Sequence, residues 1–354
     1  VAAKKAAAKP RRVESLAVDG GLKAITLPDD RHLTAIKWPR YGEEEKRRIF
    51  ELLDNNRFYD EIRLLEQATR EYLGVKHVKA HCNGTSALVS MFFALDLPKG
   101  SEILVPSYTA WATVAPMWLF GYVPVFVDIN PRTACFDLGS AERHLTRQCR
   151  ALVVMHAWGL PCEMDQICDF GRKHGLIVLE DAAQAQGAML RGKQMGSWGA
   201  IGIFSFQASK VLPAVEGGMG VYQTPEYFER ATTFGNYDLP GLFPADSRYR
   251  GYQGTGFGFK FRIHPIAAAL ARTQLRGLDQ RNALIAAQVR SLNDRLTQLP
   301  GLSEQQAAPE MRRVHWAANL LFFDEATAGF SREMLLKALK AEGVRASGAP
   351  YDEQ

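Results

Sequence analysis

Cysteine is scarce: Cys82, Cys135, Cys149, Cys162 and Cys168 are the only five among 354 residues, and none forms a Cys-x-x-Cys pair. An odd, scattered set in a chain this long excludes a disulfide-stapled mini-protein and reads as free thiols in a reducing compartment. Cys162 and Cys168, with His156 upstream, invite a zinc reading, but no second pair is present to close a tetrahedral site. A strong charge of one sign is also missing. Lys and Arg number 43 against 38 Asp and Glu, a net charge of +5 that does not by itself argue for nucleic acid. Long hydrophobic runs are lacking too. The longest apolar stretch, 110–127, is interrupted by Pro116, Gly121 and Pro124 and reads as a buried helix followed by a buried strand, not a membrane span. The N-terminal residues lack the apolar core and cleavage pattern of a signal peptide, so a cytoplasmic protein is expected.

What is present is an ordinary globular composition, 47% hydrophobic and 23% charged, on a length that suits one large domain and a smaller one. Much of the positive excess lies in Lys4, Lys5, Lys9, Arg11 and Arg12. This arm is expected to be a solvated terminus; contact with nucleic acid is the less favoured reading. Apolar residues at helical spacing, with acidic residues in the first turn, predict a helix over 43–53, and a second helix runs over 61–73 to Gly74. From Val75 to Val221 the runs VKHVKAH, EILVP, VPVFVDI, ALVVMHA, LIVLEDA, AIGIFSF and MGVYQ alternate with helical stretches. That alternation predicts an α/β fold, a mainly parallel seven-stranded sheet between helical layers, with ligands at the carboxyl ends of the strands. Phe234 to Phe261 reads as a long functional loop. Helices follow from Ile266 onward.

Three strand ends carry residues suited to chemistry. Asn83-Gly84-Thr85-Ser86 leads into an apolar helix, so its backbone N–H groups and hydroxyls suit a phosphate, although an ordinary helix cap uses the same letters. Asp181 ends the apolar run LIVLED, where a buried carboxylate requires a cation or hydrogen-bond donors; capping of a following helix is the alternative. Gln184 would face the same cleft. Ser205 leads to Lys210 among small and apolar neighbours, where desolvation lowers an amine's pKa and makes it nucleophilic. Together these are the parts that pyridoxal phosphate requires: a lysine for its aldehyde, a carboxylate for its pyridine nitrogen and a phosphate cradle. Trp111, in SYTAWAT, offers an aromatic cover for the ring, with core packing as its alternative.

In order along the chain, NGTSAL, PSYTAWAT, VPVFVDI, HAWGLPCEMDQI, IVLEDAAQAQGA, FSFQASK and EGGMG resemble the DegT/DnrJ/EryC1/StrS sugar aminotransferases. These are pyridoxal-phosphate enzymes of fold type I. The resemblance implies a basic arm and lead over 1–40, a large cofactor-binding domain over 41–265 and a smaller α+β domain over 266–354. It implies Lys210 as the Schiff-base lysine and Asp181 as the partner of the pyridine nitrogen. Ser205 with Gly84, Thr85 and Ser86 would hold the phosphate, Trp111 would lie on the ring face, and Gln184 would sit near the phenolic oxygen. A histidine replaces the lysine in the sugar dehydratase branch, so Lys210 argues for transamination.

Where the family commonly shows G-x-N-x-R-M, this chain reads Gly258-Phe259-Lys260-Phe261-Arg262-Ile263. Lys260 thus stands where an asparagine reaches the partner subunit's phosphate, which implies a homodimer with shared sites. Arg262 is a candidate for an anionic substrate group or for a structural ion pair, and His264 is read as structural. The family's terminal domain continues beyond the point where this chain stops, at Gln354, so contacts supplied there are unassigned. The implied activity is transfer of an amino group from glutamate or glutamine to a keto sugar, keto cyclitol or related carbohydrate. The lead LAVDGGLKAITLP inclines the choice toward a cyclitol or secondary-metabolite acceptor. A dehydratase or aromatising synthase of the same family, or a cofactor-binding regulatory protein, is the alternative.

Overall fold

A computed structural model describes residues 15–26, 41–237 and 243–348. The basic arm and the last six residues lie outside the described residues. Acidic first turns and helical apolar spacing produce α1 (Glu43–Asn55) and α2 (Asp60–Leu73), each stopped by a left-handed residue, Asn56 and Gly74. Then strands and helices alternate: β1 (His77–His81), α3 (Gly84–Leu95), β2 (Glu102–Pro106), α4 (Trp111–Val114), α5 (Pro116–Leu119), β3 (Val123–Val127), α6 (Leu138–Arg143), β4 (Cys149–Met155), α7 (Met164–His174) and β5 (Ile177–Asp181). A short hairpin, β6 (Met189–Leu190) and β7 (Lys193–Gln194), precedes β8 (Ile201–Ser205), β9 (Gly218–Tyr222) and α8 (Pro225–Thr233).

The seven long strands form one sheet in the order β1-β9-β8-β5-β4-β2-β3. Every pairing is parallel except the two made by β9, which runs against β1 and β8. The mainly parallel sheet with its surrounding helices is the α/β arrangement that the alternation predicted. α3 is apolar on nearly all sides and packs on β8 and β9, burying Leu88, Met91 and Phe92, as such a helix must. The stretch 110–127 departs from expectation. It forms two four-residue helices divided at Pro116 and then β3, an edge strand. With no neighbour on its outer side, β3 keeps Val123 and Phe126 largely exposed instead of buried.

Two compact units divide the chain. The larger takes 38–297 and 304–321, and so includes α9 (Pro265–Arg276) and α10 (Leu278–Leu296), beyond the boundary expected at residue 265. The smaller takes 1–37, 298–303 and 322–354. Its described helices are α11 (Glu325–Ala328) and α12 (Arg332–Ala341), capped by the side chains of Asp324 and Ser331. Within that unit the Glu342 carboxylate accepts the backbone N–H groups of Ala17 and Ala24, both at 2.8 Å. Among the described residues no helix is long and apolar enough to cross a membrane.

Candidate active site

Strand β5 ends with two buried carboxylates, and alternation along the strand sends them to opposite faces of the sheet. Glu180 accepts the backbone N–H groups of Gly196, Trp198 and Gly199 at 2.6–2.7 Å and lies 3.0 Å from His156 Nε2. His156 Nδ1 accepts the Cys162 N–H at 3.1 Å, so the imidazole carries its proton on Nε2 and donates it to Glu180. This pair pins the turn after β7 against the middle of the sheet, at β5. Asp181 has a different set of partners. Its Oδ2 accepts the hydroxyl of the fully buried Thr113 at 2.6 Å, and its Oδ1 accepts the Ala183 N–H at 3.0 Å. No helix follows Asp181; the chain enters consecutive turns, so the carboxylate does not serve as a helix cap. Each carboxylate oxygen thus has a donor, as a buried polar group requires.

The second strand end lies at β1. Asn83 Oδ1 accepts the Ser86 N–H at 2.8 Å and the Ser86 hydroxyl at 2.9 Å, which opens α3 and ties the Ser86 side chain into the cap. Thr85 is exposed beside it. A Cβ added to Gly84 would stand 2.8 Å from Ser205 Cβ, so the helix N-terminus and the end of β8 meet with only hydrogen between them. Gly218, paired with Ser205 across the sheet, lies directly under this turn, and a Cβ there would strike the Asn83 carbonyl. The two glycines therefore bring Gly84, Thr85 and Ser86 to Ser205 at the positive end of α3, where an anion is favoured.

Lys210 follows Ser205 in a turn, its N–H bonded to the Gln207 carbonyl at 2.8 Å. Burial pushes its ammonium pKa below the ordinary lysine value, and the negative charge of Asp181 opposes that shift. The two candidate catalytic residues thus share one electrostatic environment. Lys210 Nζ also lies 4.1 Å from the centre of the Trp316 ring, which in turn packs at 5.2 Å from Trp158. Trp158, in the left-handed region at φ +56°, gives its backbone N–H to Gln184 Oε1 at 2.7 Å and its indole N–H to the Tyr108 hydroxyl at 3.1 Å. Gln184 therefore orients Trp158.

The remaining predicted residues lie further out. Trp111 opens α4 and is 59% exposed. Lys260 and Arg262 line a cavity of about 470 Å³ together with Tyr59, Cys82 and Glu216. The Arg262 guanidinium lies 4.8 Å from the Tyr59 ring centre. His264 has the structural role expected of it: its Nδ1 accepts the Ile266 N–H at 3.3 Å at the start of α9.

The profile of the DegT/DnrJ/EryC1/StrS aminotransferases matches residues 39–350. The chain belongs to this family. It is 31% identical over 313 residues to GDP-perosamine synthase of Caulobacter vibrioides, covering 86% of this chain and 81% of that one. It is also 31% identical over 324 residues to a putative L-glutamine:3-amino-2,3-dideoxy-scyllo-inosose aminotransferase of Streptoalloteichus tenebrarius, covering 88% and 76%. The solved structure of DesI in the presence of its TDP-sugar product superposes with a TM-score of 0.77 at 29% identity, covering 93% of this chain and 81% of that one.

Reading the sequence missed Thr113, the His156–Glu180 pair, Trp158 and Trp316. Thr113 lies inside an apolar run and Trp316 in a segment without periodicity, so neither carries a local signal. Glu180 was within reach: a second acid in a buried strand already requires partners.

Proposed function

We propose that the protein is a pyridoxal-phosphate-dependent aminotransferase that moves an amino group from glutamate or glutamine to a keto sugar, keto cyclitol or related carbohydrate, in amino-sugar or secondary-metabolite biosynthesis. The observation that carries this reading is a partly desolvated lysine under the charge of a buried aspartate, in the same compact unit as a helix N-terminus opened by glycine toward Ser205. These residues fit the cofactor's three polar ends. When bound, pyridoxal phosphate supplies an aldehyde to receive the amino group and a ring that draws electrons from the donor Cα.

Gly84, Thr85, Ser86 and Ser205 would hold the phosphate, and Asp181 would keep a proton on the pyridine nitrogen. Gln184 would serve the phenolic oxygen and Trp111 the ring face. Lys210 would hold the aldehyde carbon, and its amine, once free, would take a proton from the donor Cα and give one to the acceptor carbon that becomes amine-bearing. Two subunits pair so that Lys260 of one reaches the phosphate site of the other, a reading supported by its exposure and its place beside Cys82. Arg262 binds an anionic group of the donor. Five free cysteines accord with action in the cytoplasm.

The test uses the purified holoenzyme. Glutamate or glutamine alone should convert the cofactor's absorbance to that of its amine form, and a keto sugar or keto cyclitol should convert it back with release of an amino product. Loss of water from a substrate, or its aromatisation, with no requirement for an amino donor would overturn the reading. A second expectation concerns Thr113. Thr113→Val keeps the shape but removes the hydroxyl that donates to Asp181 Oδ2, so titration of the apoprotein with pyridoxal phosphate should show affinity about tenfold lower, the scale of one hydrogen bond to a charged group. Thr113→Ser, which keeps the hydroxyl, should restore it.

A further inference from the structure

A buried polar atom without a partner costs free energy, so its presence at the mouth of a site calls for the ligand that satisfies it. Two such atoms are neighbours in the segment that passes over Lys210. Trp316 Nε1 and His315 Nδ1 are both shielded from solvent, and neither has a hydrogen-bond partner among the described residues. The contrast with Trp158 is informative, because that indole N–H is satisfied by Tyr108. The backbone here is specialised as well. Ala317 lies in the left-handed region at φ +60°, and the Ala318 N–H closes onto the Trp316 carbonyl at 2.6 Å, which turns the chain immediately after the indole. Such a conformation is disfavoured for alanine and holds Trp316 against Lys210.

Whatever accepts the amino group must bring its carbonyl carbon to Lys210 Nζ, which lies on the Trp316 ring. The acceptor therefore meets Trp316. An indole offers an apolar face to the C–H groups of a saturated ring and a single N–H donor at its edge. His315 adds an acceptor nitrogen when its ring is neutral with the proton on Nε2, and burial beside Arg313 pushes its pKa down to about 4, so it is neutral near pH 7. The Trp158 ring extends the apolar wall. An apolar face with one donor and one acceptor at its rim matches a ring that carries hydroxyls on a hydrocarbon frame.

We propose that Trp316, backed by Trp158 and flanked by His315, is the acceptor subsite: the ring of a polyhydroxylated ketone lies against the indole, with a hydroxyl on Nε1. This rests on the aminotransferase reading above, and the experiment separates the two. Holoenzymes of the wild type, Trp316→Ala and Trp316→Phe are first treated with glutamine and glutamate. The amine-loaded forms are then mixed with scyllo-inosose and, separately, GDP-4-keto-6-deoxy-D-mannose, following the return of the aldehyde absorbance at varied ketone concentration.

The expected result in both variants is a loss in the ketone half-reaction that clearly exceeds any loss in the donor half-reaction, which Trp316 touches only through Lys210. The ketone concentration for half-maximal rate should rise at least about tenfold in Trp316→Ala, which loses face and donor together, and less in Trp316→Phe, which keeps the face. Failure of the wild type to react with either donor would overturn the aminotransferase reading, and the subsite with it. A wild type that completes the donor step but accepts neither ketone, variants that lose equally in both half-reactions, or an unaltered ketone dependence in Trp316→Ala would overturn the subsite alone.

Discussion

Lys210→Ala is expected to give a folded protein that lacks the visible absorbance of a lysine-bound cofactor and transfers amino groups about 10²–10⁴-fold more slowly, the range that general acid–base catalysis covers. Folding should survive because the Lys210 side chain contributes only its charge near Asp181 and its contact with Trp316, while the turn is held by its backbone N–H to Gln207. The spectrum and the rate report separate duties of one amine: holding the aldehyde carbon and moving the Cα proton. A small external amine added to the variant should recover part of the proton transfer without restoring the covalent absorbance. An alanine variant with wild-type turnover would refute the assignment of Lys210.

Asp181→Asn separates charge from shape. The amide oxygen can accept the Ala183 N–H as Oδ1 does now, and the amide NH₂ can donate to Thr113, whose hydroxyl rotates to accept; the fold and both contacts are kept. What would disappear is the negative charge proposed to keep the pyridine nitrogen protonated. The donor half-reaction should slow by about 10²–10³-fold, comparable with the loss of one preorganised electrostatic contact in other active sites. The cofactor should remain linked to Lys210, unlike in the lysine variant.

There is also a pH signature. Burial lowers the Lys210 pKa and the Asp181 charge raises it, so removing that charge leaves desolvation unopposed and the pKa falls further. Capture of pyridoxal phosphate by the apoprotein needs the neutral amine. Its rate should therefore reach its plateau at lower pH in Asp181→Asn than in the wild type, and a shift to higher pH would contradict the arrangement.

Much of the candidate site was legible because its parts stand at or just past strand ends, where an apolar run stops against polar residues. Asp181 could be read in that way, as could Ser205 with Lys210 in the turn beyond it and the small-residue turn at Gly84. Their grouping follows from sheet order, which puts β8 and β9 between β1 and β5 although β9 comes last in the chain. That order is a tertiary fact. It also explains why β3, as apolar in composition as its neighbours, is an exposed edge. Thr113 and Trp316 were invisible for a related reason. Each acquires its role from one long-range contact, 2.6 Å to Asp181 and 4.1 Å to Lys210, and no periodicity along the chain encodes such a contact. Trp111 illustrates the reverse: its motif was plain, yet the ring is mostly exposed in the single chain.

The hydrogen bonds from Ala17 and Ala24 to Glu342 join residues 325 and 318 positions apart. During synthesis, which proceeds at about 5–20 residues per second, Ala17 and Ala24 wait for the 325 and 318 positions that separate them from Glu342 before their acceptor exists. The larger unit, complete at Leu321, has no such dependence. Folding is therefore ordered by translation: the larger unit is free to form first, and the smaller unit closes only once Glu342 has been made.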